Sequence, residues 1–357
     1  MTMPLPTFDD HPLVVIWETT RACQLACRHC RASAIRHRNP AELIADEVGE
    51  YILRPLSTMG RPIFVLTGGD PMERDDLAQI VATANGAGLH PSITPSATPK
   101  LTLGRLKELK DAGIQSCALS LDGSSAPIHD RFRGIVGTFD LTMEKIGWLH
   151  QLKIPLQIHT TVSLFNLDDL TRIADLVRQL GVFRWSVFFL IPVGRARSKD
   201  MLSPIQQEEV LQWLWMLQEA VPFQIKTTEA PQLGRIQAQH GAVRVSSRSA
   251  VWDGNGFLFI SHLGDIYPSG FLPIRLGNVR QDSLASIYRE HPVLLSLRNP
   301  EDFRGKCGYC EFNRVCGGSR ARAWALTDDF LESDPFCPYI PDPRTRTLGG
   351  SASVAGR

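Results

Sequence analysis

Residues 20–30 read Thr20-Arg21-Ala22-Cys23-Gln24-Leu25-Ala26-Cys27-Arg28-His29-Cys30, and the rest of the chain is best read outward from them. Three of the eight cysteines fall here, in the spacing Cys-x3-Cys-x2-Cys. Thiolates are the usual ligands of iron–sulfur clusters, and a 4Fe–4S cluster takes four. Three local thiolates hold three irons and leave the fourth open to a small molecule. Two other readings stand beside this one: chance clustering, and a zinc site completed by His29 or His37. Zinc loops more often use Cys-x2-Cys pairs, which favours the cluster.

Immediately upstream, residues 13–18 (Leu-Val-Val-Ile-Trp-Glu) form a short apolar run that reads as a buried strand. Similar runs recur at 62–67, 90–94, 116–121, 156–162 and 185–190. Helical spacing covers 42–56, 75–87, 103–112, 139–152, 167–180 and 205–221, with Gly88, Gly113 and Gly181 placed as C-terminal caps. Six strand–helix alternations predict a parallel sheet with helices on its outer face. The expected fold class is α/β: a partial (β/α)6 TIM-type barrel with a small cysteine-rich C-terminal domain. In such sheets ligands sit at the carboxyl ends of the strands. The cysteine loop follows the first strand, Gly68-Gly69-Asp70-Pro71 the second, and Asp122 closes the fourth.

Beyond residue 223 the pattern changes. Residues 227–248 are polar and irregular, the signature of a linker or loop. Residues 256–261 and 265–267 flank His262-Leu263-Gly264 as a hairpin, and 283–289 read as a short helix. Four more cysteines follow as Cys307-x2-Cys310-x5-Cys316-x20-Cys337, in a region low in regular structure. That fits a small domain held together by metal rather than by a core; the two-residue spacing by itself also fits structural zinc. From residue 341 onward Pro, Arg, Gly and Ser dominate, as in a disordered tail. The expected organisation is a barrel over 10–222, a linker over 223–255, a cluster domain over 256–340 and a tail over 341–357. Cys117, alone inside the fourth strand, reads as a buried structural thiol, and Trp213 and Trp215 as packing residues.

The composition excludes several classes. With 38 Lys+Arg against 37 Asp+Glu, no net charge argues for nucleic acid or an anionic membrane. Residues 1–10 carry neither the basic nor the apolar region of a signal peptide. No apolar run reaches the roughly 18–20 residues of a membrane span. Eight cysteines without an export signal point to a reducing, cytoplasmic setting, where thiols ligate metals rather than pair.

The cysteine loop, its place after the first strand and the strand-end motifs together resemble the radical SAM superfamily, which carries Cys-x3-Cys-x-aromatic-Cys. Here His29 supplies the flat ring where Tyr or Phe is common. Gly68-Gly69-Asp70-Pro71 is similar to the family's Gly-Gly-Glu-Pro, whose glycines let backbone carbonyls approach the amino group of S-adenosylmethionine (SAM). Ser120-x-Asp122-Gly123 followed by His129-Asp130-x-x-Arg133 resembles the subfamily with auxiliary clusters. That match implies Ser120 on the SAM ribose, Arg133 on its carboxylate and Ile191, past the sixth strand, packing on adenine. The C-terminal cysteines, with Gly317-Gly318 and Pro338, resemble a SPASM-type (or twitch-like) domain. A full SPASM domain holds two clusters; Ser269 and Ser319 stand where further cysteines are found, so one auxiliary cluster is expected. Gly270 occupies the position at which some members carry an acid used as a base, so that role is not carried over.

The resemblance implies two 4Fe–4S clusters, one at Cys23, Cys27 and Cys30 with SAM, the other at Cys307, Cys310, Cys316 and Cys337. It implies reductive cleavage of SAM and hydrogen abstraction from a substrate, with no catalytic side chain assigned beyond cluster and SAM, and an electron donor such as flavodoxin or ferredoxin. Gly317-Gly318-Ser319-Arg320-Ala321-Arg322-Ala323 looks most like the tetrapyrrole-tailoring branch, which acts on propionate or acetate side chains. Peptide maturases are the alternative; their added N-terminal recognition domain is not expected ahead of residue 13, which favours a non-peptide substrate. From another class, a zinc-stabilised, non-catalytic scaffold explains the cysteines alone. Arg28, Arg31, Arg36 and Arg38 are candidates for substrate carboxylates or a solvated basic face.

Overall fold

The computed structural model describes residues 8–241 and 251–342. Its centre is one sheet of ten strands in the order β10-β9-β8-β1-β2-β3-β4-β5-β6-β7. The six expected strands are β1 (Val14–Glu18), β2 (Ile63–Thr67), β3 (His90–Ile93), β4 (Ser116–Ser120), β5 (Leu156–Val162) and β6 (Arg184–Phe189). Each pairs in parallel with the next. Side chains alternate across the sheet: Val15, Trp17, Phe64, Leu66, Cys117, Leu119, Trp185 and Val187 are buried in the hydrophobic core. The opposite face carries Glu18, Ser120, His159 and Ser186, and it is far more polar.

The intervening helices bury one face each on that core. Leu77–Gly86 contributes Leu77, Ile80, Val81 and Ala84, and Leu170–Gln179 contributes Ile173, Ala174 and Val177. Pro204–Leu217 begins with a capping box, the Ser203 hydroxyl accepting from Gln206 N and the Gln206 side chain returning to Ser203 N. Among the described residues no helix is long and apolar enough to cross a membrane.

Three features differ from the sequence reading. Residues 126–133, to which the sequence reading assigned no element, form a helix (Ala126–Arg133) with Pro127 in its first turn. The stretch read as irregular linker holds β7 (Gln224–Thr228), parallel to β6, and a helix (Gln232–Gln239). β7 is an edge strand whose half-buried residues lack the apolar run that marks an inner strand. The expected hairpin forms as β8 (Phe257–Ile260) and β9 (Asp265–Tyr267), but β8 also pairs in parallel with β1; β10 (Gly277–Asn278) completes that side. A hairpin's sequence carries no mark of the sheet edge it will join. Residues 242–250 of the expected linker and 343–357 of the expected tail lie outside the described residues.

Candidate active site

β1 ends at Glu18 and delivers the chain into the cysteine loop. The loop's shape is set by the turn after β2. Gly69 N donates to Thr20 O at 2.7 Å and Asp70 N to Ala22 O at 2.7 Å. A Cβ on Gly68 would stand 2.5 Å from Thr20 O, and one on Gly69 would stand 2.3 Å from Ala22 O. These glycines thus let two strand-end loops touch, a close approach that a side chain at either position would prevent. The Asp70 carboxylate is engaged within the protein too. It accepts from Met72 N (3.1 Å), Ser96 N (3.3 Å) and Thr98 Oγ1 (2.8 Å), tying the turn to the loop after β3. Burial pushes its pKa up to about 6 against those hydrogen bonds.

Gly194 performs the same service on the other side, since a Cβ there would lie 2.4 Å from Cys30 O. Arg195 N donates to Cys30 O at 3.0 Å. The three thiols are therefore held by loops from β2 and β6 as well as by their own. Leu25 N donates to Cys23 Sγ (3.3 Å) and Ala34 N to Cys30 Sγ (3.4 Å), while Arg133 Nη1 lies 3.7 Å from Cys27 Sγ. Burial raises the pKa of Cys23, to about 11, and that of Cys27. A bound cation reverses that preference and takes the thiolate form.

The helix Ala126–Arg133 places His129 and Arg133 one turn apart on one face. His129 Nδ1 accepts from Asp122 N at 3.1 Å; burial lowers its pKa to about 3, so it is a neutral acceptor. Asp122 is buried, accepts from Thr161 N at 2.7 Å and pairs with Arg133 Nη2 at 2.5 Å. Ser96, Ser120, His129 and Arg133 line one cavity of about 230 Å3 next to Leu25. Ile191 is buried just beyond β6. The His29 ring lies 4.3 Å from that of Phe132, and removal from water, then Arg133 and Arg195, hold it well below its usual pKa.

Among the described residues, several buried polar atoms around the thiols have no partner: Arg133 Nε, Arg195 Nε and Nη2, and the nearby His29 Nδ1. Such atoms are costly unless a ligand satisfies them, so the residues present fit an anionic group beside the thiol loop. Arg195 was missed in the sequence; its one signal was its place in the loop after β6. Two arginines of the expected basic series are committed elsewhere. Arg31 pairs with Glu18 at 2.7 Å, and Glu18 also meets His262 Nδ1 at 2.9 Å; Arg38 pairs with Glu42 at 2.8 Å.

The second thiol set lies far along the chain but is as closely organised. Cys307, Cys310, Cys316 and Cys337 surround a space of about 340 Å3, together with Arg235 and Lys306. Arg320 Nη2 lies 3.7 Å from Cys307 Sγ, and Lys306 Nζ donates to Cys337 O. Gly318, at φ +73°, turns the chain so tightly that a Cβ would stand 3.2 Å from Cys307 Sγ. Burial raises the thiol pKa of Cys310 (to about 11), Cys316 and Cys337. Four sulfur donors and a cationic rim fit a 4Fe–4S cluster.

Ser319 and Ser269 each face a buried carboxylate. Ser319 Oγ donates to Glu229 Oε2 at 2.6 Å, and Ser269 hydrogen-bonds Asp253. Asp334, fully buried, pairs with Arg322 Nη1 at 2.8 Å and accepts from Gln232 Nε2 at 2.6 Å, which ties the cysteine segment to the helix Gln232–Gln239.

A parallel α/β sheet with a thiol loop after its first strand and an anion-ready cavity beside it defines an enzyme of the SAM-dependent iron–sulfur class. The chain belongs to the radical SAM superfamily: residues 17–177 match that superfamily. It is 37% identical over 341 residues to the AdoMet-dependent heme synthase of Methanosarcina barkeri, over 92% of this chain and 97% of that protein. It is 29% identical over 339 residues to the PqqA peptide cyclase of Rhodopseudomonas palustris, covering 92% of this chain and 88% of that one. In fold it is similar to Streptococcus suis SuiB bound to S-adenosylmethionine, with a TM-score of 0.74 at 16% identity, over 92% of this chain and 78% of that one. It is a radical SAM enzyme, and SAM and a 4Fe–4S cluster are its cofactors.

Proposed function

We propose that the enzyme tailors a carboxylate side chain of a tetrapyrrole in a haem-forming reaction. The observation that carries this reading is the 37% identity to a heme synthase along 97% of that protein's length. In this reading Cys23, Cys27 and Cys30 hold the SAM cluster. Ser120 and Arg133 hold the SAM ribose and carboxylate, with Gly68, Gly69, Asp70 and Asp122 shaping the loops around them. His29 and Ile191 pack against the cofactor. Cys307, Cys310, Cys316 and Cys337 hold a second, fully protein-ligated cluster, and an external protein such as flavodoxin or ferredoxin is the reductant. When bound, the SAM supplies, on one-electron reduction, a 5′-deoxyadenosyl radical for hydrogen abstraction, and the second cluster supplies a store for single electrons.

The polar face of the sheet supports a carboxylate-bearing substrate. Strand register puts Ser120, His159, Ser186 and Lys226 in one row across β4 to β7, with Arg184 in the row below. No acidic residue faces this side of β4–β7. Burial first, then Lys226, Arg133 and Arg184, lower the His159 pKa to about 3, so the ring is neutral beside three cations. Its Nε2 lies 2.5 Å from the Gln157 amide nitrogen. Such a row suits a propionate better than an apolar peptide side chain.

The test is anaerobic incubation of the reconstituted enzyme with SAM, reductant and an iron tetrapyrrole bearing propionates. Haem-type product, followed by absorbance and mass, is expected in step with 5′-deoxyadenosine. Product only when the tetrapyrrole is replaced by a precursor peptide would move the enzyme to the maturase branch.

A further inference from the structure

The turn after the helix Ala126–Arg133 lies directly on the cysteine loop. Gly134, at φ +75°, packs so closely that a Cβ would stand 2.6 Å from Ala26 O. Arg28 N donates to Phe132 O at 3.2 Å. From this base an apolar surface projects: Val136 is 93% exposed, Leu164 49% and Ile135 37%. Beside Leu164, the Phe165 ring carries two guanidinium groups, Arg28 at 5.2 Å and Arg131 at 5.9 Å from its centroid. Neither arginine makes an ion pair among the described residues. Phe165 meets Phe132 edge-on at 6.2 Å, and Phe132 meets His29 at 4.3 Å, so packed rings lead from the patch to the residue before Cys30.

Exposed apolar residues rimmed by unneutralised cations mark a docking surface. We propose that Val136, Ile135, Leu164, Phe165, Arg28 and Arg131 form the docking face for a small acidic one-electron carrier protein that reduces the N-terminal cluster. The charge of the rim selects an acidic partner. The position selects an electron carrier, because Arg28 is both a rim residue and the neighbour of Cys27. This inference rests on the protein reductant assigned above, but not on the tetrapyrrole substrate.

The experiment measures 5′-deoxyadenosine formation without substrate, driven either by reduced flavodoxin or by dithionite. Arg131→Glu and Val136→Glu are each expected to lower the flavodoxin-driven rate by about tenfold at low salt and to leave the dithionite-driven rate unchanged. Arg131→Lys keeps the charge and is expected to retain most of the flavodoxin-driven rate. Unchanged flavodoxin-driven rates in both glutamate variants would overturn the proposal. So would equal losses with both reductants, which would place the patch in the cluster site itself. A wild-type enzyme that responds to dithionite but to neither flavodoxin nor ferredoxin would also overturn it. Absence of cleavage with every reductant would instead count against the assignment of the SAM cluster.

Discussion

The two thiol sets are built for opposite ends. The N-terminal set has three sulfurs, and its neighbouring cavity of about 230 Å3 is lined by hydroxyl, imidazole and guanidinium groups. Arg133, which lines it, has a buried Nε with no partner among the described residues. The C-terminal set has four sulfurs around its own space of about 340 Å3, with Arg235 and Lys306 on the rim. On the proposed assignment, three protein ligands leave a position for an outside molecule and four do not. The difference teaches where chemistry can enter: at the first set, with the second confined to electrons or architecture.

Removing one ligand from each set tests that division most severely. Cys27→Ala is expected to abolish SAM cleavage, by about a thousandfold or more, and to lower iron from about eight to about four per chain. Iron, sulfide and 5′-deoxyadenosine assays on anaerobically reconstituted protein read all three. Cleavage at the wild-type rate in this variant would remove the first set from the reaction. Cys310→Ala is expected to lose a similar amount of iron and to stop product formation, yet to keep SAM cleavage in uncoupled form. If product still forms, the second set is dispensable; if SAM cleavage vanishes, the two sets are not divided as argued.

The division was partly visible in sequence, because cluster ligands and strand-end glycines are local signals. Cys-x3-Cys-x2-Cys and Cys-x2-Cys-x5-Cys need no tertiary knowledge, and apolar runs such as 62–67 mark inner strands by burial on one face. What escaped depended on distant contacts. Gly69 was legible as a special position but not as the partner of Ala22, 47 residues earlier in sequence. Arg195 looks like any loop arginine until Gly194 is seen against Cys30. The pairing of β8 with β1 likewise depends on which sheet edge is free, a property of the fold alone.

Gly69→Ala sharpens the comparison at smaller scale. The added methyl meets Ala22 O at 2.3 Å, a backbone atom that cannot swing aside. Overpacking of this kind costs about 1–3 kcal/mol, and here the shift displaces the loop that carries Cys23. The variant is expected to melt lower and to cleave SAM about tenfold more slowly, while the second cluster's spectrum stays unchanged. Parallel losses at both clusters would show that the two regions do not respond independently.

The smallest effect belongs to the carboxylate that faces Ser319. Glu229 is held with its pKa raised to about 8, first by burial and then by Asp253, against the Ser319 hydrogen bond and Arg322. A carboxyl whose folded-state pKa lies above its unfolded value near 4.3 is protonated in the fold and ionised in the unfolded chain between those limits. The folded protein binds the extra proton, so its contribution is fully present below about pH 4 and is lost as pH rises toward 8. Glu229→Gln keeps the size and the ability to accept from Ser319 while removing the titration. The expected outcome is a flatter dependence of melting temperature on pH between 5 and 8, with the variant gaining on wild type at the upper end. SAM cleavage should be unaffected, because Glu229 lies with the second set rather than the first. An unaltered pH profile would mean that Glu229 does not take up a proton on folding, and that Ser319 and its carboxylate close this side of the domain by packing alone.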